Sequence, residues 1–198
     1  MDDKTKKWIR KVVYGILFLL MIGAFVYLSE KYAENSEPKV WVIRDFYNDI
    51  DVSNETYEVI RGRKMISLLK NGKSLIFIGS KTSPYSVKYM EELNKVVEAA
   101  EIDKVYYYDI NNDKGQRNSN YYDIRDLLSG YLTETDDNKS NLLAPSFYIV
   151  DEGQVKYYNT ETVAMKNTDT VEEYWTEAKT QEFFQEISEA IGKYYLNK

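Results

Sequence analysis

The chain has 198 residues, a formal net charge of −6, no cysteine and no histidine. Without Cys there is no disulfide framework, thiol nucleophile, thiolate metal site or iron–sulfur cluster; without His there is no Ser-His-Asp triad and no imidazole base titrating near neutrality. The length suits one domain with an appendage, and nineteen tyrosines against seven phenylalanines and three tryptophans suggest many half-buried rings with hydroxyls at a surface or in contact.

Charge is uneven. Residues 1–28 carry Lys4, Lys6, Lys7, Arg10 and Lys11 against Asp2 and Asp3, a balance of +3 that leaves −9 for the rest. Val12 to Leu28 is a charge-free run of seventeen residues, flanked by Trp8 on one side and Tyr27 and Tyr32 near the other. This reads as a transmembrane anchor at the short end of what spans a bilayer, with a cleaved signal peptide as the rival. The basic cluster before the run puts residues 1–11 in the cytoplasm as a basic tail and the following domain outside the cell membrane. Residues 29–39, polar and containing Pro38, read as a stalk.

The remaining chain, 40–198, is expected to fold as one extracytoplasmic domain. Val40 to Ile43 is a candidate strand and Tyr57 to Ile60 a short extended piece. Met65, Leu68 and Leu69 show helical spacing that ends at Asn71-Gly72. Ser74 to Gly79 (SLIFIG) is a continuous apolar run and predicts a central strand buried on both faces. Pro84 to Ala100 predicts a helix with Val87, Met90, Leu93, Val97 and Ala100 inward and Glu91, Glu92 and Lys95 outward. Val105 to Ile110 predicts a strand, and Tyr121 to Leu132 a helix with Ile124, Leu127, Leu128 and Tyr131 on its apolar face. Ser146 to Val150, a turn at Asp151-Glu152-Gly153 and Gln154 to Tyr158 predict a hairpin. Thr160 to Thr176 shows no clear pattern. Ala178 to Tyr195 predicts a closing helix with Phe183, Phe184, Ile187, Ile191 and Tyr195 inward. The order β-α-β-α-β-β-α predicts an α/β fold with a mixed sheet and helices on both faces.

Two local motifs sharpen this. After the SLIFIG run comes Thr82-Ser83-Pro84-Tyr85-Ser86 at the start of a helix, and Leu143-Ala144-Pro145-Ser146 precedes a later strand. The first resembles the Thr-Cys-Pro-Tyr-Cys site of glutaredoxins within the thioredoxin-like superfamily, with serine in both cysteine positions. The second resembles that family's cis-proline. The resemblance covers roughly Tyr57 to Lys198 and looks most like bacteriocin-transport accessory proteins of Gram-positive bacteria. It implies a thioredoxin-like fold and a groove lined by Thr82, Pro84, Tyr85, Ala144 and Pro145. Ser83 and Ser86 stand at the redox positions, where hydroxyls cannot run thiol–disulfide exchange. The buried acid that thioredoxin carries six residues before its first cysteine falls here on Phe77. A plainer reading of Ser83-Pro84 is a helix N-cap followed by Pro at the first helical position.

The function implied is a non-catalytic binding, accessory or chaperone-like factor for an exported peptide or a cell-envelope complex, without cofactor or metal. The alternatives are a thiol–disulfide oxidoreductase whose cysteines are replaced by serine in this chain, and a structural envelope subunit. Asp45, Asp49, Asp51, Asp109, Asp113, Asp136 and Asp137 lack calcium-loop spacing and read as a solvated acidic surface. That surface would repel phosphate, so no nucleic-acid partner is expected.

Overall fold

The computed structural model describes residues 3–35, 42–114, 119–134, 140–166 and 170–196. The chain divides into two units, Met1–Val40 and Trp41–Lys198.

The first unit is one helix, α1 (Asp3–Asn35). The predicted anchor at 12–28 lies within it, but among the described residues no helix is long and apolar enough to cross a membrane. The transmembrane reading is therefore corrected, and the single-pass topology built on it has no support. The seventeen charge-free residues would rise only about 26 Å as a helix, short of a hydrocarbon core of about 30 Å. The same helix runs on into Arg10 and Lys11 at one end of this stretch and Glu30 and Lys31 at the other. The predicted stalk falls partly in α1, and its residues 36–39 lie outside the described residues.

The second unit is an α/β fold, as its pattern predicts. In chain order come β1 (Tyr57–Ile60), α2 (Gly62–Asn71), β2 (Ser74–Gly79), α3 (Pro84–Ala99), β3 (Val105–Asp109), α4 (Asn111–Lys114) and α5 (Ser119–Leu127). They are followed by β4 (Thr133–Glu134), β5 (Ser140–Asn141), β6 (Ser146–Asp151), β7 (Gln154–Asn159), α6 (Thr162–Lys166), α7 (Val171–Tyr174) and α8 (Glu177–Tyr194). Five strands form one sheet in the order β1-β3-β2-β6-β7, while β4 and β5 pair separately. β1, β3 and β2 run parallel, and β6 and β7 are antiparallel to their neighbours.

β2 is buried along its whole length. Its side chains alternate across the sheet. Leu75 and Phe77 enter one core with Tyr107, Phe147, Tyr89, Leu93, Phe183 and Ile187, beneath α3 and α8. Ile76 and Ile78 enter the other with Tyr108, Tyr148, Met65, Leu69 and Ile124, beneath α2 and α5. Phe77 stacks on Tyr89 with ring centroids 5.5 Å apart. At the β6–β7 turn Glu152 (φ 50°) and Gly153 (φ 72°) both take the left-handed region, which suits the tight hairpin and favours glycine at the second position.

Several expectations need correction. Of the candidate strand at Val40 to Ile43, Val40 and Trp41 lie outside the described residues; Val42 forms an isolated bridge to Glu58 and Ile43–Asp45 is a 3-10 turn. The unpatterned stretch after Thr160 contains two short helices, α6 and α7. Leu127 and Phe184 are exposed, because each lies at the margin of its helix's apolar face. Glu92 is buried rather than solvated, held between Lys88 (3.1 Å) and Lys95 (2.8 Å). Asp109 and Asp113 are also buried, whereas Asp136 and Asp137 lie outside the described residues.

Tyr47, Tyr57, Tyr89, Tyr107, Tyr108 and Tyr148 are among the largest fully buried side chains, so these rings are core rather than contact surface. Tyr89 donates to Asn159 Oδ1 (2.7 Å) and Tyr108 to Asp113 Oδ2 (2.7 Å). The Tyr57 hydroxyl is buried without a partner. Burial raises the folded-state pKa of all six above the usual tyrosine value. Each therefore stays protonated in the folded chain while the unfolded chain loses its proton near about pH 10. Stability present below that pH falls as pH rises past it, by about 1.4 kcal/mol per pH unit for each such tyrosine. Tyr57→Phe should lessen this alkaline slope by one tyrosine's share and add about 1 kcal/mol at neutral pH by removing an unsatisfied hydroxyl. Urea denaturation between pH 7 and pH 11 measures both.

Candidate functional site

The β2-to-α3 connection lies at the carboxyl end of the central strand. Gly79 is required there by close approach: a Cβ would stand 2.5 Å from the Tyr47 hydroxyl. Ser83 occupies the N-cap position of α3 with extended backbone (φ −102°, ψ 120°), and Pro84 is the first helical residue. The Ser83 carbonyl accepts from the amides of Ser86 (3.0 Å) and Val87 (3.1 Å). Its hydroxyl makes no capping hydrogen bond, so the plain N-cap reading covers its backbone and not its side chain. Ser83 also lines a cavity.

The two serines at the suspected redox positions differ in environment. Ser86 is completely buried, and its Oγ accepts a hydrogen bond from the Ser80 amide (3.1 Å). Ser83 is half-buried and faces the cavity. Neither lysine near Ser83 in sequence serves it as a base. Lys88 is engaged by Glu91 (3.0 Å) and Glu92 (3.1 Å), and Lys81 stands over the Phe46 ring (5.5 Å).

Opposite α3, the Ala144–Pro145 peptide bond is cis. The Pro145 carbonyl accepts from the Thr160 hydroxyl (2.7 Å) and from the Thr162 hydroxyl (2.9 Å). Ser146 Oγ donates back to the Leu143 carbonyl (2.9 Å). The loop before β6 is thus held on both sides of Ala144. Among the described residues, the amide and carbonyl of Ala144 make no hydrogen bond.

The segment carrying Thr160 and Thr162 is itself anchored. Glu161 is buried and accepts from Asn159 Nδ2 (3.2 Å) and from the Tyr174 hydroxyl, with Lys179 Nζ at 3.4 Å from Oε2. Burial, followed by this bond to Glu161, raises the Tyr174 pKa.

A third group comes from the end of β3. Asp109 lies opposite Gly79 in the strand register, is buried, and accepts the Asn111 amide on Oδ1 (2.8 Å). Its Oδ2 has no hydrogen-bond partner. Tyr47 and Tyr107, whose hydroxyls are 3.3 Å apart, have raised pKa values chiefly through burial, to which the Asp109 charge adds. Asn111 Nδ2 donates to Ser80 Oγ (2.8 Å), which lies 3.2 Å from Thr82 Oγ1.

Between these parts opens a cavity of about 330 Å³ lined by Ser80, Ser83, Tyr85, Ile110, Asn111, Leu142, Leu143, Ala144 and Thr162. Of the residues implied by the resemblance, the cavity brings together Ser83, Tyr85 and Ala144. Thr82 and Pro84 are exposed nearby, while Ser86 and Pro145 are buried behind its wall. Ser80, Ile110, Asn111, Leu142, Leu143, Thr160 and Thr162 were not singled out as site residues from sequence. Of these, only Leu143 stood in a motif quoted from the sequence, Leu143-Ala144-Pro145-Ser146.

Among the described residues, no group of three or more acidic side chains could hold a metal ion. No family model matches this chain, and neither does any curated protein. The class defined by the fold and the cavity is an α/β protein with a mixed five-stranded sheet and a recess at the carboxyl end of its central strand.

The double grip on Pro145 makes a cooperative prediction. Thr160→Val or Thr162→Val alone should cost about 1 kcal/mol, since the other hydroxyl still satisfies the carbonyl. The double variant should lose about 3 kcal/mol, more than the two together, because a largely buried carbonyl is left unpaired. A double-mutant cycle by urea denaturation checks it.

Proposed function

We propose that residues 57–198 form a thioredoxin-like protein that acts by binding an extended peptide segment and performs no redox chemistry. The single observation that carries this reading is the unpartnered Ala144 backbone beside the cis Pro145, at the mouth of a cavity whose opposite wall presents Ser83 and Tyr85. A backbone amide and carbonyl left open on a braced loop are suited to strand addition, in which main-chain hydrogen bonds supply affinity and neighbouring pockets supply specificity. The mixed sheet, with its two antiparallel strands on one side of β2, supports the thioredoxin-like assignment.

Serine at positions 83 and 86 leaves shape and polarity without a group that forms a covalent bond to a substrate sulfur. Association here is reversible and non-covalent, which suits an accessory or chaperone-like role. The resemblance to bacteriocin-transport accessory proteins makes an exported peptide, or a segment of an envelope complex, the candidate partner.

Ala144→Pro removes the amide donor while keeping the carbonyl and an extended backbone. Titrated with acetylated, amidated seven-residue peptides and followed by backbone-amide NMR, this variant should bind at least about ten-fold more weakly than wild type, equivalent to about 1.4 kcal/mol. Tyr85→Ala should weaken binding in the same assay. Unchanged affinity in both variants, with folding verified by circular dichroism, would remove this site from consideration.

A further inference from the structure

We infer that the cavity beside Ala144 selects a cationic extended segment that inserts one uncharged, apolar side chain. This rests on the peptide-groove reading and adds the chemistry of what the groove accepts.

Among the described residues, the cavity's lining carries no carboxylate, ammonium or guanidinium group. Its apolar surface comes from Ile110 and Leu142, both buried, with Leu143 and Ala144 half-buried. Two of the lining hydroxyls are already engaged. The Ser80 hydroxyl accepts from Asn111, and the Thr162 hydroxyl donates to the Pro145 carbonyl. Ser83 offers a hydroxyl that does not cap its helix. A charged side chain entering here would lose its water and meet no opposite charge among the described lining residues, whereas an aliphatic or aromatic one would exchange water for Ile110 and Leu142. A volume of about 330 Å³ accommodates one such side chain, at the small end of ligand cavities, which run from about 300 Å³ upward.

The surrounding charge selects the rest of the segment. Residues 41–198 carry 19 Lys and Arg against 27 Asp and Glu, a net −8. A field of that sign favours encounter with a cationic segment over an acidic one and is screened by salt. Charge on the flanks and its exclusion from the inserted side chain are therefore separate requirements.

The test uses the full chain and peptides of the form acetyl-Lys-Ser-Ala-X-Ala-Ser-Lys-amide, with X as Leu, Phe, Asp or Lys. Binding is followed by the amide signals of Ser83 and Ala144. The Leu and Phe peptides should bind at least ten-fold more tightly than the Asp and Lys peptides. Replacing the flanking lysines by glutamates should weaken the Leu peptide at low salt, with the difference shrinking as salt is added. Ser83→Asp, a change at the half-buried rim, should shift preference toward the peptide with X as Lys. Equal affinity for all four X residues, with Ala144→Pro still weakening binding, overturns the selectivity and leaves the groove reading intact. Equal binding of Lys- and Glu-flanked peptides overturns the charge requirement. Failure of every peptide to bind the wild-type chain overturns the groove reading itself, and this inference with it.

Discussion

The burial of β2 on both faces is the constraint from which the rest of the folded unit follows. Its alternating residues join two separate cores, one under α3 and α8 and the other under α2 and α5. A strand clamped this way has little freedom to slip, because a one-residue shift would exchange the contents of the two cores. Its end at Gly79 is therefore a fixed point in space. The neighbouring strands β3 and β6 are registered against it, so Asp109 and Ser146 are also fixed near that end. The Ser80–Ser86 turn and the Ala144–Pro145 loop approach each other because both leave strands locked to β2.

Precision at the recess is then added by hydrogen bonds rather than by apolar packing. Ser86 ties the start of α3 back to the Ser80 amide, and Asn111 ties the end of β3 to the Ser80 hydroxyl. Thr160 and Thr162 hold the loop before β6, and Glu161 between them is bound to Asn159, Tyr174 and Lys179. Such a buried, satisfied network defines one arrangement, since losing any member leaves a polar atom without water or partner. Several of the polar groups behind the cavity are thereby tied back into the protein.

This division explains what could be read from the chain beforehand. β2, α3 and the β6–β7 hairpin were legible because apolar period and turn residues act locally: SLIFIG, Pro84 and Glu152-Gly153 carry their own signals. Ser83, Tyr85 and Ala144 were legible through the Thr-Ser-Pro-Tyr-Ser and Ala-Pro motifs. Asp109 and Asn111 were not, because their roles arise from the parallel pairing that sets Asp109 beside Gly79, thirty residues away in sequence. Thr160 and Thr162 escaped for another reason: a hydroxyl that clamps a carbonyl leaves no periodic trace. At α1 the local signal was itself misleading, since seventeen charge-free residues suggested a span that the described helix does not meet in length and apolarity.

The contrast between the two serines bears on why hydroxyls stand at these positions. Ser86 Oγ is a buried acceptor for the Ser80 amide, in a turn that positions Ser83, Thr82 and the start of α3. A thiol is larger and a weak acceptor, so sulfur at position 86 would leave that amide poorly satisfied in a completely buried place. Serine there contributes directly to the shape of the turn. Ser83, by contrast, lines the cavity, and its hydroxyl does not cap the helix. One serine builds the wall and the other faces whatever approaches it. The two hydroxyls thus divide between them the building of the turn and the lining of the recess.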